Sequence, residues 1–349
     1  MVSTYSLGAA SLSGMARAQN ELAQLTVEAS SGQYADLGLQ LGDQSGYELS
    51  LRNQTNLLQS LTTANSLTVT SMKTASAALD SIRSTAQSAA EALASVTAGS
   101  STAASTLLST GTNALQSLIT DANTTANGQY VFGGINSGVA PMADYFSSTT
   151  SAAESAIDAA FQSTFGFAPT SASASTISAS DMQSFLSGPY ASLFSGANWT
   201  SDWSSASSTD VTTQIAPNET VATTTDTNQP GFQQLAEGYA MLTEFGGSSL
   251  STDAQQAVVT AASSLINQGI ASITEIESSL GTAQTQVTDA TNSMSNQLTI
   301  LQTQIGNLDD VNSSQIATQL NSLQTQLETS YQLTAQLQKL SLAQYLPVS

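Results

Sequence analysis

The chain contains no cysteine and no histidine. That double absence removes thiol and imidazole nucleophiles, imidazole general bases and the common zinc and copper ligands. It also removes any disulfide framework, so an extracellular protein of this composition must be stabilised by packing or by assembly. Charge is scarce: charged residues make up 9% of the chain, against roughly 25% in ordinary globular domains. Polarity comes instead from Ser, Thr, Asn and Gln. Positive charge is scarcest of all. Arg17, Arg52, Lys73, Arg83 and Lys339 face 25 acidic residues, for a formal net charge of -20. Such a surface repels nucleic acid and anionic lipid, and neither is expected as a partner. No run of about 18 or more consecutive apolar residues occurs, so no membrane span is expected. The stretch Met1–Leu7 lacks the basic region and apolar core of a cleavable secretory signal.

Carboxylates are the only acid/base candidates left, and none converges in sequence. Asp309 and Asp310 are adjacent at a helix start, where they are expected to cap the helix and match its dipole rather than catalyse. Glu275 and Glu277 point to different sides of one helix. No segment has the acidic alternation of a calcium loop. Gly133-Gly134 lacks both the third glycine of a dinucleotide fingerprint and a Lys-Ser/Thr pair, so these glycines read as a tight backbone bend. The Asn-x-Ser/Thr triplets at Asn53, Asn123, Asn198, Asn218 and Asn312 are what chance supplies in a chain so rich in Ser and Thr. No catalytic residue, cofactor or metal site is expected, and an enzyme is the weakest functional class.

What is present is helical periodicity at both ends of the chain. One stripe runs Leu58, Leu61, Met72, Ala75, Leu79, Ile82, Ala86, Ala89, Leu93 and Val96, broken by Asn65 and Thr68. A second runs Ile266, Ile273, Ile276, Leu280, Ala283, Val287, Ala290, Met294, Leu301 and Leu308, interrupted by Gly269, Gln297 and Gln304. Repeats this long keep one face of a helix against a partner helix. The spacing predicts helices over about 7–30 and 47–97, a further one after the break at Gly99-Ser100-Ser101 that runs through Leu107 to Ala122, and two more over 252–306 and 313–345, the last ending before Pro347. The second of these would be roughly 75 Å long at 1.5 Å per residue. Gly32, Gly38, Gly42 and Gly46 predict an irregular connector after the first helix, and Gly306–Asn312 an interruption before the last. Asn127-Gly128 predicts a tight hairpin turn into Gln129–Phe132.

Residues from about 135 to 249 differ in composition. Ser, Thr, Ala and Gly dominate, with most of the prolines and both tryptophans. A helix over 151–165 and a strand over 209–221 fit the pattern. Disorder is the alternative, set against Phe161, Phe165, Phe167, Phe185, Tyr190, Phe194, Trp199 and Trp203, which could fill a small core. The expected fold is mainly α: long antiparallel helical rods or a coiled coil built from the N- and C-terminal segments, with an inserted α+β or mainly β central domain. The expected divisions are 1–42 with 307–349, an axial terminal-helix domain; 43–140 with 250–306, a rod-like helical domain with a short hairpin; and 141–249, a solvent-facing insert. The outermost helices, one at each end of the sequence, need each other or a neighbouring subunit, and association between subunits is favoured. The expected interface comprises Leu12, Met15, Leu22, Leu25, Ile316, Leu320, Leu323, Leu327, Leu337 and Leu340.

This order of segments resembles the flagellin superfamily. Ser30-Ser31-Gly32 looks like the family's turn after its first helix. The stretch Asn127-Gly128-Gln129-Tyr130-Val131-Phe132-Gly133-Gly134 resembles its turn-and-strand signature, and Leu340–Leu346 resembles its C-terminal ending. Within the superfamily the closer likeness is to the members that join hook to filament. It rests on Ala35–Gly42 followed by Leu49-Ser50-Leu51-Arg52, on Tyr130–Gly134, and on Tyr345-Leu346. The resemblance covers residues 1–140 and 250–349. It implies a secreted structural subunit of the extracellular flagellum, exported without signal cleavage through the flagellar type III apparatus. The implied partners are further copies of itself, the hook-side junction protein, flagellin and an export chaperone for the C-terminal helix. A filament subunit is the first alternative, and a secreted adhesin or surface-array protein the more distant one.

Overall fold

The computed structural model describes residues 4–100, 102–147, 150–247 and 249–345, with side chains described from 9 to 336 among them. The elements run α1 (Thr4–Ser31), α2 (Leu37–Leu41), α3 (Ser45–Ser95), α4 (Ala103–Ala122), β1 (Thr125–Ala126), β2 (Gln129–Tyr130), α5 (Ala152–Phe165), α6 (Ala179–Phe185), α7 (Gly196–Asp202), β3 (Thr212–Ala216), β4 (Glu219–Ala222), α8 (Pro230–Phe245), α9 (Thr252–Asp309) and α10 (Ser313–Tyr345). The fold is mainly α, and its two sheets are antiparallel pairs, β1 with β2 and β3 with β4. Two compact units divide the chain: 1–59 with 295–349, and 60–294. Residues 141–249 do not cluster apart; they share one core with the flanking helices of the larger unit.

That core is organised around α8, an element the sequence reading left unassigned. Pro230 stands at its first turn, where the missing N–H costs nothing. Phe232, Leu235, Ala236, Tyr239, Ala240, Met241, Leu242 and Phe245 are all buried, a wide apolar face that must sit inside, while Gln233, Gln234, Glu237 and Glu244 line the half-buried polar side. Glycines set how closely its neighbours approach. A Cβ on Gly111 of α4 would lie 2.6 Å from Leu242 Cβ and 2.7 Å from the Thr243 nitrogen. On the other side, a Cβ on Gly269 of α9 would lie 2.6 Å from the Leu235 side chain. The end of α8 meets an aromatic cluster, with Phe245 stacked on Phe161 at 5.5 Å and edge-on to Phe185 at 5.8 Å. Phe161, Phe185, Tyr190, Phe194, Trp199 and Trp203 are each buried, so the aromatic residues of the middle segment fill a core.

Within the larger unit α3 and α9 run antiparallel. Arg83 Nε donates to Glu277 Oε2 at 3.1 Å, and Gln284 Nε2 donates to Ser76 Oγ at 2.8 Å. Met72, Leu79, Ile82, Ala86 and Leu93 bury one stripe; Ile266, Ile273, Leu280, Val287 and Met294 bury the other. An 18-residue window of α9 reaches a mean hydropathy of 1.2, enough by length and composition to cross a membrane. Of that window 33% is buried inside the fold, and α9 contributes the fully buried Val258, Ala262, Ile266 and Ile273 to the core. Gly306 does not interrupt α9 as expected; the helix continues to Asp309.

The Asn127-Gly128 turn forms as predicted. Both residues have positive φ, 52° and 78°, and pair Ala126 with Gln129 and Thr125 with Tyr130. The strand stops at Tyr130. Phe132 turns inward, fully buried against Phe232 at 5.4 Å. Gly134 has φ 57°, and a Cβ there would sit 2.3 Å from the Ser207 carbonyl oxygen, so only glycine fits.

Several carboxyls of this unit are buried or half-buried, with no basic partner among the described contacts. Burial lifts Glu237 on α8 to about 7. Glu244 is also raised by burial, opposed by the hydrogen bond it accepts from Tyr145 Oη at 2.7 Å and reinforced by Asp158 and Glu154. A carboxyl with a raised native pKa binds its proton more tightly when folded. Stability therefore falls as pH rises from about 4.5 to 7. Glu237→Gln is expected to raise stability at pH 8 by on the order of 1 kcal/mol and to flatten that slope, as read by urea unfolding at pH 5 and 8. Gly111→Ala forces a methyl onto backbone atoms that cannot yield, and is expected to cost about 1–3 kcal/mol. Gly281→Ala meets nothing within 4 Å on α9 and should be neutral or stabilising in the same measurement.

Candidate functional site: the terminal-helix unit

The smaller unit is built from the two ends of the sequence. α1 and α10 lie antiparallel, with Ser11 Oγ 3.1 Å from Thr334 Oγ1 and Gln19 Nε2 donating to Tyr331 Oη at 2.7 Å. Leu25, Ile316 and Leu323 form its small core, lined by Ala18, Leu22, Val311 and Leu320. Of the residues expected to form an interface, Met15, Leu25, Ile316, Leu323 and Leu327 are buried, Leu22 and Leu320 are half-buried, and Leu12 is exposed. The helices have thus met the first of their two options, pairing with each other within one chain. Leu337 and Leu340 lie outside the described side chains, and Leu346 outside the described residues.

The chain reverses twice in this unit, and the two reversals are stitched together. After α1, Gly32 takes φ 73°, its N–H closing the helix on the Glu28 carbonyl at 2.9 Å. The Tyr34 N–H donates to the Asp309 carbonyl at 3.0 Å, and the Val311 N–H to the Gly32 carbonyl at 2.9 Å. These bonds make a one-residue β-bridge between Gln33 and Asp310. The irregular connector is partly helical, because the Asp36 carboxylate caps α2 by accepting from the Leu39 N–H at 2.9 Å.

A guanidinium fastens this junction. Arg52 on α3 donates to Glu48 one turn earlier and to Asp309 at the end of α9. Asp309 is wholly buried, and Glu48 nearly so. The expectation that Asp309 and Asp310 cap the following helix is corrected. Asn312 caps α10, its Oδ1 accepting from the Ser314 and Gln315 N–H groups at 3.1 and 3.2 Å. Asp309 is an ion-pair partner and Asp310 a bridge residue. The overlooked sequence signal was Arg52 itself, one of five basic residues in the chain and placed beside the buried Leu51.

The outside of this unit is unusually apolar. Among the described residues Leu12, Val27, Leu39, Tyr47, Leu49, Leu57, Ile300, Tyr331 and Leu333 are exposed, Leu39 by 83%. The larger unit has about twice the length, yet its exposed large apolar residues are Leu67, Leu108, Ile135, Val139 and Phe146. Among the described residues no group of three or more acidic side chains could hold a metal ion.

Paired chain ends with an uncovered apolar exterior define a subunit that assembles, and comparison with known proteins identifies the class. Residues 2–137 match the bacterial flagellin N-terminal helical region, and residues 263–346 the bacterial flagellin C-terminal helical region. The chain belongs to the flagellin superfamily and is a structural component of the flagellum, not an enzyme. The fold is also similar to a solved structure assigned as a flagellar hook-associated protein from Vibrio parahaemolyticus. The two share 12% identity at a TM-score of 0.51, and the match covers 76% of this chain and 97% of that one. No curated protein matches the chain.

Arg52→Ala leaves the Asp309 carboxylate buried beside Glu48 with no cation, and is expected to destabilise the smaller unit by about 3 kcal/mol. Hydrogen exchange at the Tyr34 and Val311 amides checks it: both should lose protection in the variant, while amides of α8 should not change.

Proposed function

We propose that this protein is a hook-associated junction subunit, joining hook to filament by polymerising through its terminal helices. The observation that carries the assembly reading is the crowding of exposed apolar side chains onto the unit made from the two chain ends. Covering that surface with neighbouring copies gains roughly 25 cal/mol for each Å² of apolar area removed from water. The expected interface residues Leu12, Met15, Leu22, Leu25, Ile316, Leu320, Leu323, Leu327, Leu337 and Leu340 belong to this proposal. The exposed Leu12 would contact a neighbour directly, and the buried members would hold the α1–α10 pair that presents it. Low charge limits repulsion between closely packed copies of an acidic chain.

Three sequence features support a junction position over a filament subunit: Ala35–Gly42 with Leu49–Arg52, the Tyr130–Gly134 phrase, and the Tyr345-Leu346 ending. The fold likeness to a protein assigned as hook-associated points the same way. In this reading the chain is exported unfolded through the flagellar type III apparatus and becomes extracellular at the growing tip. A chaperone covers the C-terminal helix until then, and the hook-side junction protein and flagellin are its neighbours.

Immuno-labelling of intact flagella decides between the two positions. A single band at the hook boundary is expected, whereas staining along the filament identifies a filament subunit. Removing residues 1–40 and 310–349 is expected to abolish assembly. A truncated chain that still bound a surface would instead point to an adhesin.

A further inference from the structure

The fully buried seven-residue series of α3 has one polar member. Asn65, Met72, Leu79, Ala86 and Leu93 are spaced by seven residues and are all buried, and every seventh residue of α9 from Ile266 to Met294 is buried likewise. A repeat of this kind has a weakness. Sliding one helix along the other by seven residues brings apolar side chains against apolar side chains again, so the stripe alone defines register poorly.

Asn65 does not repeat. Its Nδ2 donates to the Thr291 hydroxyl of α9 at 3.0 Å and to the Ile215 carbonyl of β3 at 2.9 Å. Thr291 is itself held by donating to the Val287 carbonyl at 2.8 Å. Asn65 is fully buried, and its Oδ1 has no partner. The unpartnered oxygen is a cost that an apolar residue would not carry, set against the two hydrogen bonds that the amide nitrogen makes. We infer that Asn65 is a positioning residue: it fixes the register of α3 on α9 and, through the same amide, seats the β3–β4 hairpin on that helix pair. A slip of seven residues would place Leu298 or Gln284 where Thr291 stands and would carry the hairpin's anchor away from it. A single polar residue in an apolar heptad is the best-attested device for this purpose, and here its second bond extends the specification to a third element.

The absence of cysteine allows a direct test. Ser76→Cys with Gln284→Cys replaces a hydrogen-bonded pair that joins the two helices, and a short thiol-reactive crosslinker then reports the native register. Asn65→Leu in this background is expected to keep its helical signal. The crosslinking yield should fall by about fivefold, and the hairpin amides of Thr213 and Val221 should exchange about fivefold faster, the factor one neutral hydrogen bond supplies. Unchanged yield together with unchanged hairpin exchange would overturn the inference. If Asn65→Leu does not fold, Thr291→Val decides, since it deletes only the α9 end of the pin. A lower yield with the hairpin still protected supports the inference, and an unaltered yield rejects it.

Discussion

The larger unit depends on how closely helices can approach α8. Gly111 on α4 and Gly269 on α9 bring neighbouring backbones within contact of Leu242 and Leu235, closer than any Cβ allows. Once α8 is held between them, Phe245 projects into the aromatic cluster and Phe232 receives Phe132 from the segment after the β1–β2 hairpin. Remove that approach and α4, the hairpin region and the aromatic core lose their common support. The middle of the chain is thus no appendage; it supplies the helix on which the flanking helices pack.

A shortage of cations shapes the rest. With five basic residues, few buried carboxylates can have one. Arg52 serves Glu48 and Asp309, and Arg83 serves Asp80 and Glu277. The others are managed without charge compensation. Glu237, Glu244 and Asp226 are all raised by burial, and Asp226 is further held by the Asn228 N–H and the Gln229 amide. Arg52 and Arg83 each pair once within their own helix turn and once across to α9, at Asp309 and Glu277, joining helices over long sequence separations.

Much of this architecture is legible from local signals. Periodicity located the long helices, and α10 has the predicted bounds. Asn127-Gly128 announced its hairpin because turn chemistry is local. The failures share a cause. α8 escaped notice although Gln233, Gln234, Glu237 and Glu244 mark a polar face at helical spacing, because at 16 residues it is short beside the long rods and lies in a Ser/Thr-rich stretch. The continuation of α9 through Gly306 follows from tertiary contacts that hold Asp309 in place, which outweigh the weak propensity of one glycine. The Arg52 clamp joins residues far apart in sequence, so no window along the chain contains it. The terminal stripes were legible as buried faces, but periodicity cannot say which helix covers them, and α1 and α10 cover each other.

The placement of the basic residues has a further consequence for a protein of the flagellum. Lysine and arginine are absent from Ser84 through Gln338, so a protease that cuts after basic residues finds no bond to attack anywhere from α4 through most of α10. Before that stretch Arg17 lies inside α1 and Arg52, Lys73 and Arg83 inside α3, where helical backbone resists the extended conformation a protease needs, and Arg52 and Arg83 are further occupied in ion pairs. The same economy of positive charge that leaves carboxyls uncompensated therefore makes the folded chain a poor substrate for trypsin-like enzymes.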